Sequence, residues 1–228
     1  MFNQSSFCAL GNGVNDAFGD HCLVCPCGGD RTRRHNLLRN AAARVLDAAG
    51  FRPETEKPGL LRMRPPINGA DEAASERRSV LSPEGRRPAG IYVPNWLLGQ
   101  PAAFDFAVTS GLRVGFLEES AKDGSYTGAY YVDIKSKHLD TAAQCKSEGL
   151  AFVPMVCEAH GGGWEAGALA VWKKVAKAAA FLSGEEAPRR FEHLMQSLSV
   201  TLHRENARAI LSRSVARART PERAALEC

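Results

Sequence analysis

Three groups of residues in this sequence are of types that carry chemistry. Cys8, His21, Cys22, Cys25 and Cys27 crowd the N-terminal segment. A zinc ion takes four soft or borderline ligands in a tetrahedron, commonly as close pairs separated by a short loop. Cys8, His21 and Cys25 can supply three of them. Cys22-x-x-Cys25 is also a pair at zinc spacing, without an obvious partner pair, and Cys22 or Cys27 is a candidate for the remaining place. Free thiols in a loop are the plain alternative. The second group is Asp105 with Lys135, Glu54 and Glu56. Hydrolysis of a phosphodiester with Mg²⁺ needs carboxylates to hold the ion and a lysine to steady the attacking water and the developing charge. A structural ion pair is the alternative there. The third is Arg34-His35-Asn36 at the start of an expected helix, where backbone N–H groups attract phosphate and arginine reinforces them; exposed basic residues at a helix cap would look the same. Glu158-Ala159-His160 ends an expected strand and is either catalytic or an ordinary polar strand terminus.

The elements that must position these residues follow from periodicity. Leu38, Ala41, Ala42, Val45, Leu46 and Ala49 form an apolar stripe at helical spacing, so residues 32–49 read as a helix, capped by Thr32 or Asp30 and stopped at Gly50. Residues 66–88 are polar and turn-rich and read as a loop. Strands are expected at 90–94 and 102–110. In the second, Phe104, Phe106 and Val108 point one way and Ala103, Asp105, Ala107 and Thr109 the other. Asp105 thus stands mid-strand among small residues, where a carboxylate is costly unless paired, hydrogen-bonded or metal-bound. Residues 129–148 read as a helix ended by Gly149, with Tyr131, Lys135 and His138 on one face. A strand is expected at 151–158, where Pro154 suggests an edge or a bulge. A glycine turn at 161–163 and helices at 165–182 and 187–218 follow. This order predicts a mixed α/β domain, a small sheet flanked by helices.

Composition sets bounds. Apolar content of 44 % is ordinary for a globular chain, and no apolar run approaches the roughly 20 residues of a bilayer span. No secretory signal is evident at the N-terminus. Seven cysteines, crowded at one end, suit a metal site or free thiols better than a disulfide framework. The net charge of +4 does not by itself indicate nucleic acid. Its distribution says more: Arg31, Arg33, Arg34 and Arg39 cluster, Arg86 and Arg87 precede a strand, and the C-terminal segment carries Arg204, Arg208, Arg213, Arg217, Arg219 and Arg223. The arginine fork suits phosphate contacts, although solvated faces would give the same pattern.

The runs FGDHCLVCPCGGDRTRRHN, ETEKPGLL, RRPAGIYVP, AAFDFAVTS, LDTAAQC and FVPMVCEAHGGGW, in that order, resemble the C-terminal region of non-LTR retrotransposon proteins that carry a restriction-like endonuclease. The resemblance spans about residues 8 to 210 and extends to reverse-transcriptase-associated reading frames of protist genomes. It implies a cysteine–histidine knuckle before a PD-(D/E)xK-type nuclease core. Residues 1–30 would be the knuckle-like segment, 31–182 the restriction-endonuclease-like domain and 187–228 a basic amphipathic helical tail. Asp105, Lys135 and Glu56 would be catalytic, with Asp105 and Glu56 holding Mg²⁺ or Mn²⁺. Arg33, Arg34, His35, Asn36 and Arg39 would approach nucleic acid, and Cys8, His21, Cys25 and Cys27 would hold zinc. The implied partner is DNA, or RNA as a second candidate, and the implied location is the nucleus; no membrane role is expected.

Two departures stand out. The family pattern has Pro-Asp where this chain has Pro88-Ala89-Gly90, so Gly90 replaces a metal-binding aspartate while the spacing to Asp105 survives. The family knuckle opens with Cys-x-x-Cys, and here Gly11 stands at the second place. The sequence therefore predicts an endonuclease-like domain with impaired catalysis, or a nucleic-acid-binding module on a dead nuclease fold. A relic without function is the third reading. No polymerase-like Asp-Asp pair is visible.

Overall fold

Apolar residues spaced by three and four along the first helical segment must face one core, and they do. In the computed structural model, which describes residues 6–8, 13–15, 19–25, 27–61, 88–113, 115–161 and 163–224, helix α2 (Asp30–Ala48) buries Leu38, Ala41, Ala42 and Leu46. It starts after Gly29, whose φ of 71° is a left-handed turn that costs glycine nothing. Before it come a short hairpin, β1 (Ser6–Phe7) and β2 (Val14–Asn15), and a short helix α1 (Asp20–Val24).

A four-stranded mixed sheet follows, in the order β3 (Glu54–Thr55), β4 (Ile91–Leu97), β5 (Gln100–Thr109), β6 (Ala151–Glu158). The first three run antiparallel, and β6 pairs parallel to β5 with Asp105 opposite Pro154. A parallel pair needs a long crossover. Here α3 (Leu117–Lys122), α4 (Tyr126–Lys137) and α5 (Thr141–Ser147) supply it. The chain ends in α6 (Ala166–Ser183) and the long α7 (Ala187–Ala224), whose side chains are described to residue 212. Pro154 cannot donate to a ladder, and β6 is an edge strand, as its proline suggests.

The alternation along β5 divides the interior in two. Phe104 and Phe106 join Leu38, Leu46, Trp172, Leu198 and Leu202 in the main core between the sheet and helices α2, α6 and α7. Ala103 faces the opposite side, against Cys145 of α5, Leu150, Leu61 and Ala89. Small residues on that side let a polar side chain stand among them. The C-terminal helix packs into the core through Leu194, Leu198, Leu202 and Ala209, which are buried. No described helix is long and apolar enough to cross a membrane.

Four expectations change. The helix expected at 129–148 is two helices, α4 and α5, broken by a 3-10 turn (His138–Asp140) in which Leu139 and Asp140 take φ of 57° and 53°. Helix α3 and strand β3 were not expected, being too short to give a period. The strand at 90–94 extends to Leu97, because its register shifts between Val93 and Leu97 and carries the chain past Pro94. Asp30 and Thr32, expected as caps, do not cap α2: its N-cap is Gly29, and no side-chain bond closes that end. The expected loop at 66–88 lies almost wholly outside the described residues.

Phe104 is fully buried where the sheet meets α2 and α6, and Trp96 packs edge-on against it at 4.9 Å. Phe104→Ala is expected to lower unfolding free energy by about 3–5 kcal/mol in denaturant titrations, through lost burial and a cavity that rigid neighbours cannot close.

Candidate functional site

Cysteine and histidine in the N-terminal segment are brought together by the hairpin and α1. Cys8 leaves β1 and donates its backbone N–H to the Gly13 carbonyl at 2.7 Å. His21 lies in α1, and Cys25 caps that helix by donating its N–H to the His21 carbonyl at 2.8 Å. The ligand atoms of Cys8, His21 and Cys25 all lie within 4.8 Å of one another, and both sulfurs are buried. The sulfurs are 3.9 Å apart. That is far beyond a disulfide of roughly 2.05 Å. It suits two thiolates on one zinc, since bonds of about 2.3 Å at tetrahedral angles set the sulfurs about 3.8 Å apart. Gly13 makes room: a Cβ there would lie 1.9 Å from His21 Cε1. This group can hold a metal such as zinc, which would clamp hairpin to helix. Cys27, expected as a ligand, stands outside the group, in the 3-10 turn (Cys27–Gly29) that opens α2. Position 11, where the family knuckle carries cysteine, lies outside the described residues.

A second cluster gathers around Asp105. Lys135 of α4 reaches Asp105 of β5, Nζ to Oδ2 at 2.8 Å, and donates to the Phe106 carbonyl at 3.3 Å. Arg39 of α2 pairs with Glu56 and also donates to Asn40 Oδ1 through Nε and Nη2, at 3.1 and 2.9 Å. Glu56 sits in the left-handed region at φ 53°, strained for a side chain of its size, with its N–H on the Gly90 carbonyl at 3.0 Å. Between the pairs lies half-buried His35. Burial holds its pKa below 6.5; Lys135 and then Arg39 push the same way, against Asp105 and Glu56. Asp105, Lys135, Glu56, His35 and Arg39 are therefore assembled in one neighbourhood from α2, the β3–β4 connection, β5 and α4.

The residues present do not fit a divalent cation of the Mg²⁺ type. Such an ion takes one or two free carboxylates and completes its six oxygen ligands with water and phosphate. Gly90 offers none, and a Cβ there would meet Arg39 Cδ at 2.8 Å and Cγ at 3.4 Å. Both remaining carboxylates are held by basic side chains. Among the described residues, the group of three or more metal-ligating side chains in reach of one another is Cys8, His21 and Cys25. Glu54 pairs with Lys57 at 2.8 Å, away from this cluster's chemistry.

The arginines divide. Arg34, expected to meet phosphate, is buried: Nη2 donates to the Leu23 carbonyl and Nη1 to Asn206 Oδ1, both at 2.8 Å. Its fork is spent inside the protein, which removes it from the phosphate-binding set. Arg33 is half exposed and pairs with Glu205 at 2.9 Å; Asn36 is half-buried. Glu205 and Asn206 were not singled out in the sequence, and Arg208 figured only among the C-terminal arginines suited to phosphate. Arg208 bridges Glu205 and Asp30 at 3.0 and 2.6 Å, and no local spacing announces a pairing so distant along the chain. Glu158 serves the backbone, accepting from the N–H groups of His160 and Gly161 at 2.7 and 2.6 Å. His160 Nε2 lies 3.1 Å from both Ser110 Oγ and Asp20 Oδ1. Both partners share one ring nitrogen, so this is not the relay of a nucleophilic triad. Burial pushes the Cys157 thiol up to about 12, which leaves it inert.

Two outcomes follow. Gly13→Ala is expected to displace the His21 ring and to cut zinc retained after dialysis severely, measured by a colorimetric chelator against a Cys8→Ser control. His35, neutral in the fold, adds stability that is present above 6.5, its value when exposed, and lost as pH falls through its lowered folded value. Denaturation midpoints should therefore drop on acidification to about pH 5, and by less in His35→Gln; equal drops would show that another group titrates. Comparison of the chain with protein-family models, with characterised proteins and with solved structures finds no match.

Proposed function

We propose that this chain is a nucleic-acid-binding relative of the restriction-like endonucleases of non-LTR retrotransposon proteins, its metal-dependent cleavage site converted to ion pairs. The observation that carries this reading is Arg39 lying over Gly90 and paired to Glu56. Where the resemblance implies an aspartate to bind a metal, a cation holds the space and a neighbouring carboxylate. A four-stranded sheet with Asp105 mid-strand, flanked by helices and preceded by a Cys8–His21–Cys25 group that could hold a metal, supports this reading. Arg39 and Lys135 can exchange Glu56 and Asp105 for a phosphate, so affinity without cleavage is the expected behaviour. DNA is the expected partner and the nucleus the expected location, by lineage.

A second reading is an active endonuclease. It is favoured by the approach of Lys135 to Asp105 at 2.8 Å, the one juxtaposition that cleavage would also require.

Supercoiled plasmid with Mg²⁺ or Mn²⁺ separates them. The native protein is expected to bind plasmid in a salt-sensitive manner and leave it intact. Gly90→Asp combined with Arg39→Ala is expected to gain nicking, and Asp105→Ala in that background to lose it. Nicking by the native protein that Asp105→Ala abolishes would establish the second reading. A well-folded double variant that stays inert would remove the support for these residues as a nuclease site.

A further inference from the structure

Helix α6 (Ala166–Ser183) contains no Asp or Glu, and its outer face is basic. Lys173, Lys174 and Lys177 stand on its exposed stripe, opposite the buried Val171, Trp172 and Val175. Before them the stripe carries only Ala166, Gly167 and Ala170, and Phe181 follows one turn later. Elsewhere Lys57, Lys122, Lys135 and Lys137 each meet a carboxylate at 2.8–3.1 Å. Among the described residues no carboxylate pairs with Lys173, Lys174 or Lys177.

The elements packed against α6 do not offset this charge. They are α2, β6 and α7. Glu158 of β6 accepts from two backbone N–H groups, and Glu165, at the N-cap of α6, accepts from the Gly167 N–H at 2.7 Å. Glu185, in the turn between α6 and α7, lies 3.7 Å from Arg190. On α2, α7 and that turn, the carboxylates without an ion-pair partner among the described residues are Asp47, Glu186 and Glu192. Arg31, Arg44, Arg189 and Arg204, exposed on the same two helices, match them. The three lysines are left as an uncompensated row.

Charge and shape together select the occupant. A protein partner would bury apolar anchors at the centre of the contact, where lysine is depleted. Here the centre is lysine, and the small side chains beside it anchor nothing. A phosphodiester backbone needs only cations along a surface it can approach, and lysine serves phosphate as a point charge. The cations around Asp105 must first release a carboxylate, whereas those of α6 need not.

We propose that Lys173, Lys174 and Lys177 form the principal contact of this protein with the phosphate backbone of a nucleic-acid duplex, independent of base sequence. The proposal rests on the nucleic-acid-binding reading above. It places the electrostatic anchor on α6, which covers the main core, rather than at the Asp105 cluster.

The test follows the affinity of the intact protein for a labelled DNA duplex and an RNA duplex of the same length, by fluorescence anisotropy across a range of salt concentrations. Three phosphate contacts contribute about 2–3 to the slope of log affinity against log salt. Exchanging all three lysines for glutamine is expected to weaken binding of one or both duplexes and to lower that slope by about 2–3, and Lys177→Gln alone to lower it by about one. Whichever duplex responds identifies DNA or RNA as the source. Glutamine keeps the helix propensity of lysine and the positions are exposed, so thermal midpoints should match the native value. An unchanged slope in the triple variant, with or without a loss of affinity, would overturn the α6 contact and leave the broader reading in place. A native protein that binds neither duplex would overturn both. If that protein instead sediments with phosphatidylserine vesicles and Phe181→Ser abolishes this, the face is a membrane contact.

Discussion

The structure hangs on one buried cation. Arg34 donates to the Leu23 carbonyl in α1 and to Asn206 in α7, and Asn206 passes the connection on by donating Nδ2 to the Ala159 carbonyl, at 2.7 Å, just beyond β6. A single guanidinium thus joins the cysteine–histidine segment, the first long helix, the last helix and the end of the sheet. Bonds from both Nη groups offset the burial of this charge, while the buried Nε has no hydrogen-bond partner among the described residues; truncating one side of such an arrangement costs about 3–5 kcal/mol. The Arg33–Glu205 and Arg208–Asp30 pairs surround it nearer to solvent, where each contributes little alone.

The same logic governs the cluster around Asp105. A mid-strand carboxylate must be compensated, and Lys135 does so across the gap between sheet and α4. With glycine at position 90, a single carboxylate sets the balance next door. Glu56 alone would face Arg39 and His35, and the outcome is a pair with Arg39 and a neutral His35. The arrangement is internally satisfied: each carboxylate meets a basic side chain. The Cys8–His21–Cys25 group has the opposite character: soft donors converge within reach of one ion.

Much of the framework was legible in the sequence because it rests on local periodicity. The stripe from Leu38 to Ala49 and the alternation from Ala103 to Thr109 place α2 and β5 nearly to the residue. Cys8, His21 and Cys25 were legible from residue type and spacing. What stayed hidden depends on partners far along the chain or on backbone geometry. Nothing near Arg34 reveals that Asn206 will bury it, and nothing near residue 139 reveals a left-handed break in an otherwise helical run. Cys27 looks as good a ligand as Cys25 until the turn into α2 carries it away.

The Arg34–Asn206 contact spans 172 positions of the chain. The main core also waits for Leu194, Leu198 and Leu202 before α2 and α6 can be covered. On a ribosome, therefore, the N-terminal half emerges with its apolar stripe bare and its arginine unanswered, and folding completes only after the last helix is made. Long-range closure of this kind is slow relative to helix formation and leaves a nascent chain open to chaperones and to aggregation.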